Sequence, residues 1–413
     1  MSAPQPIAIT GARVVCAATG QDGIANLLVR DRQIAGIGAD APPADARVID
    51  GRGLVLAPGL IDAGVFRADA AAAQAGGITR VLLMPDQAPP LDDPAMVAFA
   101  QAVGKPHVWV HPLVAATRGL RGEELAEIGL ARAAGAVGVA TGRGSIASSA
   151  VMHRLLSYAT AFRLPVVTHA EDPALTAGAV ATEGDYATRL GLPAAPAFAE
   201  SLAIARDIRL AESTGAALHI RQVTTAEGAA LVRAAQARGL PVTAGITPAH
   251  LFLNETAVAG FRSFARLSPP LRSETDRLAV IEAVRDGTIS VLASGHDPRT
   301  QEDKRQPFAE AAPGMAGAQT LLALGLGLVR DGVLPLPRLL AMMAANPARI
   351  FGLAAGTLQL GAPADLVLFD EGAPWRIDGD QFPGAGNTPF DGLPVQGRVR
   401  TTIKGGDVVW QDV

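Results

Sequence analysis

The stretch Pro165–Pro248 decides the fold. It opens on PVVTHA (Pro165–Ala170), runs through an amphipathic segment (Phe198–Ser213) and returns to ALHIRQV (Ala217–Val223). A second such segment (Thr225–Arg238) leads to PVTAGITP (Pro241–Pro248). Short β-rich runs bounded by glycine or proline read as strands, and apolar residues at helical spacing between them read as helices. Strands alternating with helices of this length are βαβ units of a parallel sheet. Outward from this stretch the same kind of run recurs at Leu54–Val65 (LVLAPGLIDAGV), Thr79–Pro85 (TRVLLMP), His107–Pro112 (HVWVHP), Ala136–Ala140 (AVGVA) and Ile289–Gly295 (ISVLASG). Eight runs in all favour a closed (β/α)8 barrel over an open doubly wound sheet.

The two ends read differently. Residues 6–56 carry short β segments separated by glycine and charged turns, and residues 356–413 do the same. Neither end has a helical stretch, so the two are expected to pair into one small β-sandwich. The expected organisation is residues 1–56 and 356–413 as the two parts of the sandwich, with residues 57–355 as the barrel. Gly372–Pro394, rich in glycine and proline, reads as an irregular connection.

Composition narrows the function. Hydrophobic residues make up 49% of the 413, enough for a large core, which excludes a disordered chain. A net charge of −4 argues against nucleic acid, whose phosphates call for a basic surface. The one cysteine, Cys16, has no partner for an internal disulfide, as suits a reducing compartment. The N-terminus lacks the layout of a signal peptide, and the most apolar stretch, Ala316–Val329, is too short to span a bilayer. A cytoplasmic protein that binds neither nucleic acid nor membrane is expected.

In a barrel the chemistry sits at the C-terminal ends of the strands, so each end was searched for metal ligands, acids and bases. The first run leads into IDAGVFRAD (Ile61–Asp69), the second into MPDQAPP (Met84–Pro90) and the fifth into THAED (Thr168–Asp172). The sixth gives LHIRQVTT, the seventh TPAHLFLN, and the eighth ASGHDPRTQEDK. With PPLR (Pro269–Arg272), NPA (Asn346–Ala348) and GAPADLV (Gly361–Val367), these motifs resemble the dihydroorotase branch of the amidohydrolase superfamily over nearly the whole chain.

That resemblance implies a zinc hydrolase frame with the zinc ligands removed. The family's first strand carries two histidines two residues apart, a period that aims both imidazoles into one cavity. Here those positions hold Gly64 and Phe66, while Asp62 and Arg67 keep the frame. The fourth strand should supply a bridging anion, yet no Asp, Glu or Lys occurs from Ile128 through Ala170. The sixth-strand histidine ligand is Gln222, with His219 at the preceding non-ligand position, and the eighth-strand aspartate that binds metal and acts as base is Gly295. Asp86 and Ser268 replace two substrate-facing asparagines.

What remains is a vestigial pocket of Arg67, Asp86, His169, His250 and His296, with Asp86 equally readable as a turn cap. No catalytic, cofactor or metal residues are assigned, and zinc is expected to be absent. His169 and His296 read as neutral, hydrogen-bonded side chains. A shifted His169–Asp172–His296–Asp297 cluster would still lack the bridging ligand. The family includes noncatalytic members that serve as partner subunits of aspartate transcarbamoylase. The resemblance therefore implies a scaffold in pyrimidine biosynthesis whose partner is the aspartate transcarbamoylase catalytic subunit, in a hetero-oligomer or, alone, a homodimer. The alternative is a cyclic-amide hydrolase of dihydroorotase, hydantoinase or allantoinase type with an atypical metal site.

Overall fold

The computed structural model describes residues 5–383 and 386–412. Five strands come first: β1 (Ile7–Cys16), β2 (Gln21–Arg30), β3 (Gln33–Gly38), β4 (Arg47–Asp50) and β5 (Val55–Pro58). The barrel strands follow: β6 (Leu60–Val65), β7 (Ile78–Leu83), β8 (Trp109–Ala115), β9 (Gly138–Ala140) and β10 (Val166–Thr168). A small parallel pair, β11 (Ala181–Thr182) and β12 (Ala194–Ala195), interrupts them. Then come β13 (Leu218–Ile220), β14 (Val242–Ile246) and β15 (Val291–Leu292), and β16 (Leu366–Arg376), β17 (Pro394–Lys404) and β18 (Asp407–Gln411) end the chain.

The eight strands β6 to β10 and β13 to β15 form one parallel sheet in chain order, as the eight runs predict. The sheet curls into a nearly closed barrel whose first and last strands meet at the mouth. There the buried Asp62 accepts hydrogen bonds from the Ser294 N–H (2.8 Å) and hydroxyl, and the Phe66 N–H donates to the His296 carbonyl (2.9 Å). Period two sorts the side chains. Ile61, Ala63, Leu82, Ala140, Val167 and Val291 form one apolar cluster, while Leu60, Val81, Val139, Val166 and Leu292 join the helices in a larger one. Helices start where the sequence offers caps: Ser148, Thr225 and Ser273 each accept from the N–H three residues on.

The ends of the chain build a second eight-stranded sheet, ordered β18-β17-β16-β5-β1-β2-β3 with β4 also on β1. Its own core includes Ile9, Val14, Leu27, Ile34, Leu56, Leu366 and Ile403. The run Leu54–Val65, read from sequence as one strand, is two strands in two sheets, divided at Gly59. A side chain at Gly59 would meet Thr79 Cγ2 at 2.4 Å, so only glycine allows the handover. An ion pair buried between the sheets ties them: Arg80 donates to Asp365 (2.6 and 3.0 Å), which also accepts from Trp109 Nε1 and the Gly405 N–H. Gly372–Arg376 continues β16 rather than joining the irregular connection that follows. Among the described residues no helix is long and apolar enough to cross a membrane.

Candidate functional site

The strand ends surround a cavity of about 100 Å³ at the barrel mouth. Phe66 reaches it from beyond β6, Arg143 from beyond β9, and Arg221 and Gln222 from beyond β13. Thr247 and His250 follow β14, Gly295 and Asp297 follow β15, and Ser268 stands on the rim.

Three buried histidines lie here, and in each the lone pair is already used. An arginine can only donate, so the 2.8 Å contact from Arg221 Nη2 makes His169 Nδ1 an acceptor. His169 Nε2–H then faces Glu171 at 3.1 Å. For His250, the Pro269 carbonyl requires a donor at Nε2 (3.1 Å), leaving Nδ1 to accept from the Thr247 hydroxyl (2.8 Å). His296 Nδ1 accepts from the N–H groups of Gly317 and Ala318 (3.2 and 3.3 Å), and its buried Nε2 finds no partner among the described residues. Burial pushes His250 and His296 down to about 4, which keeps both rings neutral.

Arginines take over the space. The guanidinium carbons of Arg143 and Arg221 lie 4.2 and 5.0 Å from the centre of the Phe66 ring. An ideal Cβ on Gly64 would stand 3.6 Å from Arg221 Cδ, so the arginine stem lies where a longer side chain would project. Asp297 accepts both Arg143 Nε and Nη2 (3.0 and 2.7 Å) and also Arg299 Nη2 (2.7 Å). Burial lowers Arg221 to about 10 against the opposing pull of Asp86 and Asp297, so it stays cationic at neutral pH. Behind His169 the polar chain continues. Arg272 donates to Glu171 (2.8 Å) and lies 3.5 Å from Glu200, which in turn accepts the N–H groups of Thr224 and Thr225. Burial alone would raise Glu171, but His169 and Arg272 outweigh it and hold the carboxyl at about 2.

The expected pocket is only partly assembled. His250 lines this cavity and His169 an adjoining one. Arg67, expected in the pocket, is exposed and lines neither, because the first strand turns outward after Phe66. Asp86 ties two strand ends, accepting the Arg143 N–H (2.9 Å), with the Arg143 guanidinium at 3.7 Å. His296 is buried beside the mouth without lining the cavity. Asp172 caps its own turn through the N–H groups of Ala174 and Leu175, and Asp297 is held by arginines, so the shifted cluster does not form. Sequence reasoning passed over Arg143, Arg221, Glu171 and Arg272 as functional groups. Glu171 and Arg272 stood inside the quoted HAED and PPLR motifs, and Arg221 stood beside the lost ligand at Gln222.

An amidohydrolase family model matches residues 55–409. The chain belongs to the amidohydrolase family. Within it the protein is dihydroorotase-like: it is 40% identical to a dihydroorotase of Anaeromyxobacter dehalogenans, over 98% of each chain. It is likewise 39% identical to a dihydroorotase-like protein of Pseudomonas aeruginosa, over 97% of this chain and 98% of that one. Among solved structures it resembles an L-hydantoinase from Arthrobacter aurescens, with a TM-score of 0.87 and 27% identity over 99% of this chain and 96% of that one.

A zinc ion in such a barrel would need at least three protein donors with free lone pairs. Among the described residues no three His, Cys, Asp or Glu side chains converge in a way that could hold a metal. With His169, His250 and His296 each accepting a hydrogen bond at its unprotonated nitrogen, the residues present do not fit the ion.

Proposed function

We propose that the protein is a noncatalytic dihydroorotase homologue that acts as a structural subunit of aspartate transcarbamoylase in pyrimidine biosynthesis. One observation carries the noncatalytic half: Arg221 donates to His169, putting a cation where that imidazole would have to meet a metal. Without a metal-bound water or an acceptor for its proton, hydrolysis of a cyclic amide has neither nucleophile nor base. The partner is drawn from the resemblance of the whole chain to noncatalytic dihydroorotase-like proteins. A barrel with a mute pocket can still present its outer faces to catalytic trimers.

The test mixes the purified protein with the aspartate transcarbamoylase of its own organism and measures native mass and transcarbamoylase activity. A joint complex with raised activity is expected; a protein that stays apart and leaves the activity unchanged would overturn the reading. The likeness to the L-hydantoinase favours a second reading, a hydrolase of cyclic amides with an unusual site. Stoichiometric metal by elemental analysis, or turnover of dihydroorotate or hydantoin, would establish it instead.

A further inference from the structure

The barrel mouth holds buried guanidinium groups that no carboxylate of the described residues meets at hydrogen-bond distance. Arg143 is matched by Asp297 and Asp86. Arg221 forms no ion pair at hydrogen-bond distance: it is 7% exposed, Asp86, Asp297 and Glu171 act on it only through space, its side-chain hydrogen bond runs to His169 Nδ1, and among the described residues its buried Nε–H has no acceptor. Arg266, in the adjoining cavity, repeats the pattern. Its Nη1 donates to the Leu267 carbonyl, and among the described residues its buried Nε–H has no acceptor either. Arg266 lines a second cavity of about 210 Å³, which shares Arg143, Leu267 and Ser268 with the first. Removing a guanidinium from water without a counter-charge is costly, and an oxyanion is the group that offsets the cost best. Gln222 and Ser268 face the first cavity with no hydrogen bond to the protein among the described residues, so neutral donors stand beside the cations. Phe66, Leu267 and Met315 supply apolar walls that keep the site small and its dielectric low.

We propose that this mouth is a binding site for one small oxyanion, a carboxylate or a phosphate, held by Arg221 with Gln222 and Ser268 and drawn in by Arg266. The dimensions of the cavity suit a compact anion. The inference does not depend on which partner the protein has.

The test titrates the full-length protein with inorganic phosphate and with acetate, at ionic strength matched by sodium chloride, following heat of binding and thermal unfolding. Saturable one-to-one binding by either probe, with a rise in melting temperature beyond that in chloride, is expected. Which probe binds tells a tetrahedral from a planar oxyanion. Arg221→Met should weaken binding at least about tenfold, as loss of a charged hydrogen bond implies. Ser268→Ala, on the exposed rim, should weaken it a few-fold without disturbing the fold, and so keeps the test open if Arg221→Met does not fold. Phosphate and acetate acting no more strongly than chloride, or Ser268→Ala and Arg221→Met both binding like the parent, would overturn the proposal.

Discussion

Arg221 Nη2 donates to His169 Nδ1 across 2.8 Å, so this buried imidazole is bonded to a permanent cation. The contact fixes which ring nitrogen carries the proton, because a guanidinium offers nothing but donors. Nitrogen-15 spectra of the imidazoles should report His169 with the proton on Nε2. A proton on Nδ1 would contradict the geometry.

Restoring lost ligands singly should not restore a metal. Gly64 has φ +102°, and Gly295 has φ +66° with a would-be Cβ 3.0 Å from Thr247 Cγ2. Gly64→His and Gly295→Asp therefore force strained backbone, at about 1–3 kcal/mol each. After dialysis against zinc, elemental analysis should find no stoichiometric metal in either, and both should melt below the parent.

Asp62 and Ser294 join the first and last barrel strands. Asp62→Ala leaves the buried Ser294 N–H without an acceptor and should cost about 1–3 kcal/mol, by urea unfolding. Asp62→Asn keeps an acceptor oxygen and should cost less.

The buried Arg80–Asp365 pair should matter more. Asp365→Ala strands Arg80 and removes acceptors from Trp109 and Gly405, at about 3–5 kcal/mol. Because the pair lies between the two sheets, the loss should also broaden the unfolding transition.

Stability should rise with pH from about 4 to 6.5. Burial lowers His111, His219, His250 and His296 to about 4, so in this window each takes up a proton only on unfolding. More protons on the unfolded chain means stability that grows with pH. Burial raises Asp62 and Asp207 to about 6 and raises Glu200 as well, and these act in the opposite sense because the native state holds their protons longer. The four histidines outnumber the carboxyls that oppose them, so the net change is a gain in stability with pH. Denaturation midpoints at pH 4.5, 5.5 and 6.5 would check the sign; a fall across that range would contradict it.

The eight barrel strands and the pairing of the two ends were legible because periodicity and strand–helix alternation need no tertiary information. The boundary at Gly59 was not, since Val55–Pro58 and Leu60–Val65 run on as one β-rich stretch, are both fully buried, and differ in their partners. That Gly64, Phe66, Gln222 and Gly295 stand where the resemblance implies metal ligands could be read from the sequence. What fills their space could not, because an arginine after a strand reads the same whether it points to solvent, like Arg67, or across a cavity, like Arg221. Side-chain direction beyond a strand end depends on a turn that periodicity does not encode.

The sheet built from both ends sets a clock on biosynthesis. β5 pairs with β16, Pro58 lying opposite Leu366, so the early strands cannot complete their sheet until β16 has left the ribosome. β1, β2 and β3 can pair locally at once, but β5 must wait with an open edge. Contacts this distant in sequence are slow to form, and unpaired edges invite association with other chains. β16 thus releases β5 from waiting, and loss of β16 would expose an edge on a strand some three hundred residues earlier in sequence.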